Sequence, residues 1–130
     1  EFTVQGSGSE SRSFCYIDDI IDGIINAAFK DEGANDVFNL GNDREEYKII
    51  GLIKMLSQIS GKKIKPVFSV VRPEGSATRR LPDISKARKL LGYDPKISLR
   101  DGLKLTYSWY KREIESILKN TDAKEYPWLK

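Results

Sequence analysis

An arginine that follows a glycine-rich stretch is the residue of this chain best suited to binding chemistry. Gly6-Ser7-Gly8 predicts a flexible turn, and Arg12 follows shortly after the second glycine. A guanidinium presents a planar set of N–H donors that can bind two oxygens of a phosphate group at once. The alternative role is an ion pair with Asp18 or Asp19, which are close in sequence. Spacing alone leaves both roles open.

Residue types that commonly catalyse reactions are scarce. The chain has 130 residues, no histidine and one cysteine, Cys15. A Ser-His-Asp triad is therefore impossible within it, and a zinc or Cys-His metal site is excluded. Gly6 and Gly8 lack the third glycine and the preceding buried strand of a dinucleotide-binding motif. Cys15 lies in an apolar stretch, where we expect a buried side chain instead of a reactive thiol.

The net charge of +3 conceals opposite charges on the two halves of the sequence. Residues 1–61 carry 11 acidic and 5 basic side chains, whereas residues 62–130 carry 8 acidic and 17 basic ones. Either the halves lie against each other or form solvated faces, or the basic half contributes a positive groove for a phosphate group. We expect no nucleic-acid partner, because the basic residues are spread over helix faces without interleaved aromatics.

The composition is that of an ordinary globular protein, with 39% apolar and 32% charged residues. No apolar run approaches the roughly 18 residues that a membrane-spanning helix requires. The start of the chain has no charged and apolar leader. These features predict a cytoplasmic location and no membrane partner.

The periodicity predicts an α+β fold, a small lobe of three to four amphipathic helices with short strands. Asp18 or Asp19 is expected to cap the first helix, Asp83 the third, and Ser98 with Asp101 the fourth, whose buried stripe runs to residue 117. Gly61 is expected to end the second helix. The predicted strands are residues 3–5, a returning strand at 13–16, 36–40 and 66–71, and the loop 72–82 is expected to be irregular. We assign residues 1–120 to one domain and 121–130 to a tail.

Short motifs follow one another along most of the chain. In order they are V-Q-G-S-G (4–8), R-S-F-C-Y-I-D-D (12–19), F-N-L-G (38–41), E-Y (46–47), R-P-E-G (72–75), R-R-L-P-D-I-S-K-A (79–87), L-G-Y-D-P (91–95), S-L-R-D-G-L (98–103) and W-Y (109–110). Each is weak alone. The ordered set resembles the C-terminal substrate-binding part of the extended short-chain dehydrogenases/reductases, the NAD-dependent epimerase/dehydratase family that modifies nucleotide sugars, and so the C-terminal part of a Rossmann-type α/β enzyme.

The resemblance implies where the chemistry is carried out. In that family a larger N-terminal Rossmann domain binds NAD or NADP and supplies a catalytic Tyr and Lys, and the chemistry begins with transient hydride removal from the sugar. Tyr107 and Lys111 match Y-x-x-x-K only as a string, because Tyr107 belongs to the apolar stripe of a helix. We therefore expect no catalytic residue and no bound cofactor here, and no activity of the chain alone.

The resemblance also implies two arginines in a substrate site. Arg12 is expected to bind the pyrophosphate of a nucleotide sugar, and Arg72 is the matching arginine across the groove. Val4, Gln5 and Gly6 belong to the strand whose backbone meets the nucleotide base.

Other candidates for the site are less specific. Many family members have an acid that meets the ribose hydroxyls after R-P-G, whereas this chain has Glu74 or Ser76 near that place. Arg79 or Arg80 is expected to help neutralise phosphate. Asn39 and Asp19 are expected to hold loops and a helix start.

The function expected is nucleotide-sugar binding for an epimerase or dehydratase whose Rossmann domain is missing from this chain. The alternative is a stand-alone, non-catalytic module that binds a nucleotide or a partner protein. In the first case an apolar face that would meet the Rossmann domain should be uncovered, with self-association as a consequence.

Overall fold

The computed structural model describes residues 2–69 and 75–120. At residue 120 it describes only the backbone. The tail assigned to residues 121–130 lies outside this range. The helices are α1 (Ile17–Phe29), α2 (Ile49–Ser60), α3 (Ser85–Leu91) and α4 (Leu99–Asn120), and a 3₁₀ turn spans Asp31–Gly33. The strands are β1 (Phe2–Gln5), β2 (Ser11–Ser13), β3 (Glu46–Lys48), β4 (Pro66–Ser69) and β5 (Arg79–Arg80). The α+β class with short strands is confirmed. None of the described helices combines the length and apolarity needed to cross a membrane.

The described strands form two small sheets. β1 pairs in parallel with β4, whereas β2 is the middle strand between antiparallel β3 and parallel β5. The prediction of a returning strand at residues 13–16 is wrong, because β2 ends at Ser13 and belongs to the other sheet from β1. Residues 72–82 were predicted to be irregular, which is wrong for β5. This strand consists of two arginines, so it shows no alternation of apolar and polar residues.

The segment predicted as a strand at residues 36–40 forms no strand in the described structure. Its Phe38 and Leu40 side chains pack against the core, and the Asn39 amide donates to the carbonyl of Asp83 at 3.3 Å. Val37 is 82% exposed. The strand prediction for residues 36–40 is therefore wrong, because the described structure pairs no strand with this segment.

The first helix packs against the core through a face other than the one that carries its exposed isoleucines. Asp19 and Gly23 are its buried residues, and a Cβ on Gly23 would lie 2.8 Å from Leu40 and 2.9 Å from Tyr93. Residue 23 must therefore be glycine for α1 to approach the core this closely. The isoleucines at 17, 21, 24 and 25 are all more than 40% exposed.

The prediction that Asp18 or Asp19 caps α1 is wrong. The N-cap residue is Tyr16, which makes no side-chain capping bond. The Asp19 carboxylate instead accepts the backbone N–H groups of Lys96 and Ile97, each at 3.0 Å. Asp19 thus holds the loop at residues 96–97 against α1. Holding a loop is one of the two roles expected for it.

The remaining helix boundaries follow their predicted signals. Gly61 ends α2 with φ 67°, and Ser85 N–H donates to the Asp83 carboxylate at 2.9 Å at the start of α3. At α4, Asp101 N–H donates to the Ser98 hydroxyl at 3.2 Å. The predicted buried stripe of α4 is wrong in its second half, since Tyr110 is 56% exposed.

The core lies where α3 meets the loop that follows it. It consists of buried Ile84, Ala87, Leu91 and Tyr93, with Ala27, Phe38 and Leu40 packed around it. The Tyr93 hydroxyl donates to the carbonyl of Gly41 at 3.1 Å and lies 3.5 Å from the sulfur of Cys15. Burial raises the pKa of the half-buried Cys15 thiol, which disfavours a reactive thiolate.

Candidate functional site: a cleft between β1 and Arg12

A cavity of about 290 Å³ opens between the two sheets. Strand β1 forms one side, Glu10 and Arg12 form another, and Ile49 and Ser76 complete the lining. Three of the residues expected to bind the substrate therefore meet at one place: Val4, Gln5 and Arg12. The sequence did not select Glu10 or Ile49 for this site.

Strand β1 presents both backbone and side chains to the cleft. Pairing with β4 fixes it, and the Val4 side chain is 4% exposed while its neighbours on either side are exposed. The strand ends at Gln5, and the next residue, Gly6, has a φ of 84° and donates its N–H to the carbonyl of Ser69 at 3.1 Å. A Cβ on Gly6 would lie 2.6 Å from a carboxylate oxygen of Glu10, so glycine permits both the turn and this close approach.

The turn from Gly6 to Glu10 is held from two sides. The Glu10 carboxylate accepts the backbone N–H of Ser7 at 3.4 Å and its hydroxyl at 3.3 Å. The pKa of Glu10 is lowered, chiefly because its carboxylate accepts a hydrogen bond from its own backbone N–H. Desolvation acts in the opposite direction, and hydrogen bonds from the backbone of Ser7 and Gly8 lower the pKa further. The carbonyls of Glu10 and Gly8 accept the N–H groups of Ile49 and Ile50 at 3.0 Å each. The turn therefore supplies acceptors for the first donors of α2.

Arg12 lies in β2 with its guanidinium bound to main-chain oxygens. It donates to Ser11 at 2.7 Å, Ala77 at 2.9 Å and Thr78 at 3.4 Å. Within residues 2–69 and 75–120, Arg12 forms no ion pair, so the alternative pairing with Asp18 or Asp19 is not present there. A guanidinium has five N–H donors, which is more than these three carbonyl acceptors use.

The remaining predicted residues are placed differently. The Arg79 guanidinium forms a bidentate ion pair with the Glu46 carboxylate, with contacts of 2.9 and 3.0 Å, and the Ser11 hydroxyl donates to the same carboxylate. Arg72 and Glu74 lie outside the described residues, so their roles stay predictions. Ser76 does line the cleft.

Comparison with known proteins relates this lobe to a defined class of enzymes. No family model matches the chain. Over 112 residues it is 39% identical to the UDP-glucuronate 4-epimerase of Thermodesulfobacterium geofontis, covering 86% of the chain and 34% of the relative. It is 32% identical over 115 residues to UDP-glucuronic acid decarboxylase 1 of Xenopus tropicalis, covering 88% of the chain and 26% of that protein.

Solved structures show the same relationship. The UDP-glucuronic acid 4-epimerase of Bacillus cereus in complex with UDP-glucuronic acid and NAD superposes with a TM-score of 0.78 at 39% identity, covering 85% of the chain and 35% of that structure. The UDP-glucose 4-epimerase of Thermotoga maritima with UDP-glucose gives 0.79 at 33% identity, with coverage of 88% and 36%.

The helices and short strands of this chain thus match the C-terminal part of a Rossmann-type epimerase fold. Among the relatives and structural neighbours of the chain are NAD-dependent UDP-sugar epimerases and decarboxylases of the extended short-chain dehydrogenase/reductase family, and the predicted resemblance is confirmed. The chain spans about a third of the length of these relatives.

Proposed function

We propose that this chain is the nucleotide-sugar-binding part of an NAD- or NADP-dependent nucleoside-diphosphate-sugar epimerase, dehydratase or decarboxylase. The observation that carries the proposal is the meeting of Val4, Gln5 and Arg12 around one cleft. These residues were selected from the sequence as base-binding strand and phosphate-binding arginine, and they are separated in the chain by a turn.

The cleft has the two kinds of surface that a nucleoside diphosphate requires. The exposed backbone and side chains of Thr3 and Gln5 offer an edge for the base, with buried Val4 anchoring the strand between them. Arg12 offers charge-assisted hydrogen bonds to the phosphates. The three carbonyls that already bind Arg12 limit its motion, so less side-chain entropy is lost when the anion binds.

The glycine turn at residues 6–8 does not have the form of a cofactor-binding motif. Phosphate binding by a dinucleotide motif requires a glycine turn that opens a helix. The turn at Gly6–Gly8 leads instead into β2, a strand of three residues. We therefore assign cofactor binding and the chemical step to a Rossmann domain outside these 130 residues, and propose that these residues alone are inactive.

The exposed isoleucines of α1 support that assignment. Together with Phe29, which is 85% exposed, and Val37 they form an apolar face. Such a face on a globular lobe marks an interaction surface. We propose that the missing Rossmann domain covers it.

Titration of the 130-residue chain with UDP-, dTDP-, CDP- and GDP-sugars tests the proposal. One or more should bind, and Arg12→Ala should weaken binding by about ten- to hundredfold, the value of a charge-assisted contact. Arg100→Ala is the matched control, because Arg100 is exposed at the start of α4 and donates to Gln58 at 3.1 Å. Unchanged affinity in Arg12→Ala would remove Arg12 from the site. Failure of all the nucleotide sugars to bind would favour the alternative, a protein-interaction module.

A further inference from the structure

A groove lined by aromatic side chains runs along one side of α4. Two cavities of about 160 and 370 Å³ lie there, and both are lined by Tyr16 and Thr106, so they adjoin along the helix. One wall consists of residues 14–17 and the other of α4 and the residue before it. Arg112 is the only charged residue of the lining, and four of the lining residues are aromatic: Phe14, Tyr16, Trp109 and Tyr110. We call this feature the α4 groove.

The outer part of the α4 groove is open. Leu105 and Trp109 are each 50% exposed, and Tyr110 is 56% exposed. From residue 108 to residue 119, every side chain of α4 except Ile117 is exposed in the described structure. Most of the stability of a helix in a protein comes from packing of its amphipathic face. The groove and the second half of α4 therefore form a surface that a further segment would stabilise by covering it.

The sequence that follows α4 has the chemistry to cover this surface. Residues 121–130 lie outside the described structure, and they contain the uncharged sequence Tyr126-Pro127-Trp128-Leu129. Proline biases the residue before it toward an extended conformation, and aromatic-lined grooves are recurring binding sites for extended segments that contain proline. An apolar cavity of about 150 Å³ holds a benzene molecule. Each part of the α4 groove therefore has room for an aromatic ring.

The sequence after α4 is also long enough to reach the groove. From the end of α4 back to Trp109 the helix rises by about 16 Å. Residues 121–128 can span up to about 26 Å when extended, so Trp128 can lie beside Trp109 with length left for a turn. Arg112, at the groove, forms no ion pair within residues 2–69 and 75–120, and Glu125 precedes the aromatic sequence. Covalent attachment to α4 keeps the effective concentration of this segment at the groove high.

We propose that residues 126–129 bind in the α4 groove, with the Trp128 indole beside Trp109 and the Glu125 carboxylate paired with Arg112. The occupant of the groove is therefore a segment of this chain, and its binding stabilises the second half of α4. The proposal does not depend on the nucleotide-sugar cleft, because none of the residues that line the α4 groove lines that cleft.

The fluorescence of Trp109 tests the proposal, because the chain has only two tryptophans. Trp109 is the single tryptophan both in Trp128→Phe, which keeps an aromatic ring in the segment, and in Tyr126→Ser/Trp128→Ser/Leu129→Ser, which removes its apolar side chains. Acrylamide should quench Trp109 at least about twofold less in Trp128→Phe, because the bound segment would shield an indole that is otherwise 50% exposed. A cooperative urea transition shows that each variant is folded.

The matched control is Lys124→Ser/Trp128→Phe/Lys130→Ser, which also carries substitutions after α4 but keeps the apolar side chains. Its quenching should equal that of Trp128→Phe. Each variant is measured over a range of protein concentrations. Shielding by a segment of the same chain is independent of concentration, whereas shielding by a second copy increases with it.

Nuclear Overhauser effects in the unmodified chain locate the segment. We expect contacts between the indole of Trp128 and the methyl groups of Leu105 and Thr106. Equal quenching of Trp109 in Trp128→Phe and the triple-serine variant would overturn the proposal. Shielding that grows with protein concentration, or Overhauser contacts that place Trp128 away from α4, would also overturn it.

Discussion

The guanidinium of Arg12 donates a hydrogen bond of 2.9 Å to the carbonyl oxygen of Ala77, 65 positions further along the chain. This contact and the one to Thr78 hold the segment before β5 against β2. The same side chain lines the cleft beside β1. Arg12 therefore organises the loop, and under the proposed function it also presents donors to an anion.

Replacing Arg12 by lysine separates these tasks. Lysine keeps the charge but cannot reproduce the planar fork, so we expect Arg12→Lys to bind UDP with an affinity between those of the unmodified chain and Arg12→Ala. Loss of the carbonyl contacts should lower the free energy of unfolding by about 1 kcal/mol. Calorimetric titration and urea unfolding measure the two effects. Full affinity in Arg12→Lys would show that only charge is needed.

The buried carboxylate of Asp19 should be the more important of two adjacent acids for stability. Asp19 is 5% exposed and accepts two backbone N–H groups, whereas Asp18 is exposed in the first turn of α1. Asp19→Ala leaves the backbone N–H groups of Lys96 and Ile97 without their acceptor, and we expect it to lower the free energy of unfolding by about 1–3 kcal/mol.

The neighbouring Asp18→Ala is the matched control and should change the unfolding free energy by less than about 0.5 kcal/mol. Urea unfolding monitored by circular dichroism measures both. Equal effects of the two substitutions would contradict the assigned role of Asp19.

Acid should weaken the ion pair between Asp43 and Arg88 of α3. The Arg88 guanidinium donates to the Asp43 carboxylate at 2.8 and 3.0 Å, and this hydrogen bonding lowers the pKa of Asp43 below the ordinary value of 3.8. A lowered folded-state pKa contributes stability that is present above the ordinary pKa and is lost as the pH falls through the folded-state pKa. The unfolding midpoint of Asp43→Asn should therefore lie below that of the unmodified chain at pH 7, and the difference should shrink below about pH 3.8.

The exposed Asp22→Asn on α1 serves as the control for the pH series. Its midpoint should follow that of the unmodified chain at every pH. A difference between Asp43→Asn and the unmodified chain that persists unchanged into acid would count against the ion pair.

The uncovered apolar face predicts concentration-dependent association. Phe29 and Val37 are the most exposed apolar side chains of this face. Light scattering should give a mass that rises with protein concentration, and Phe29→Ser/Val37→Ser should reduce the rise. The control is the double substitution Lys104→Ser/Lys111→Ser at exposed positions of α4, which should leave the rise in mass unchanged. A monomer at all concentrations would argue for an independent module.

Local signals in the sequence predicted the parts of the fold that local chemistry determines. Gly61 and Gly92, both in left-handed conformations, end their helices, and Asp83 and Ser98 provide acceptors at the starts of theirs. These features depend on a few adjacent residues, which the sequence displays directly.

Features that depend on distant partners were missed. β3 and β5 have only three and two residues, so no alternation could reveal them. Asp19 looked like a cap because its true partners, Lys96 and Ile97, are 77 and 78 positions away. On α1, four isoleucines are exposed, and the side that packs in this lobe carries Gly23.

The same division applies to the residues that line the candidate cleft. The family resemblance selected Arg12 and β1 from motifs that lie within a few residues of each other, and the structure places both at the cleft. The acceptors at Ala77 and Thr78 and the ion pair between Arg79 and Glu46 join remote segments. The ion pair with Glu46 distinguishes Arg79 from its neighbour Arg80.

The most direct test of the central claim is the NMR signal of the Arg12 guanidinium, assigned by its loss in Arg12→Lys, during titration with UDP and with uridine. Direct contact with the diphosphate predicts that UDP shifts this signal strongly and saturably, together with the amide signals of Val4 and Gln5, whereas uridine leaves the guanidinium signal in place. A guanidinium signal that does not respond to saturating UDP, or that responds equally to uridine, would contradict the claim that Arg12 binds the phosphates.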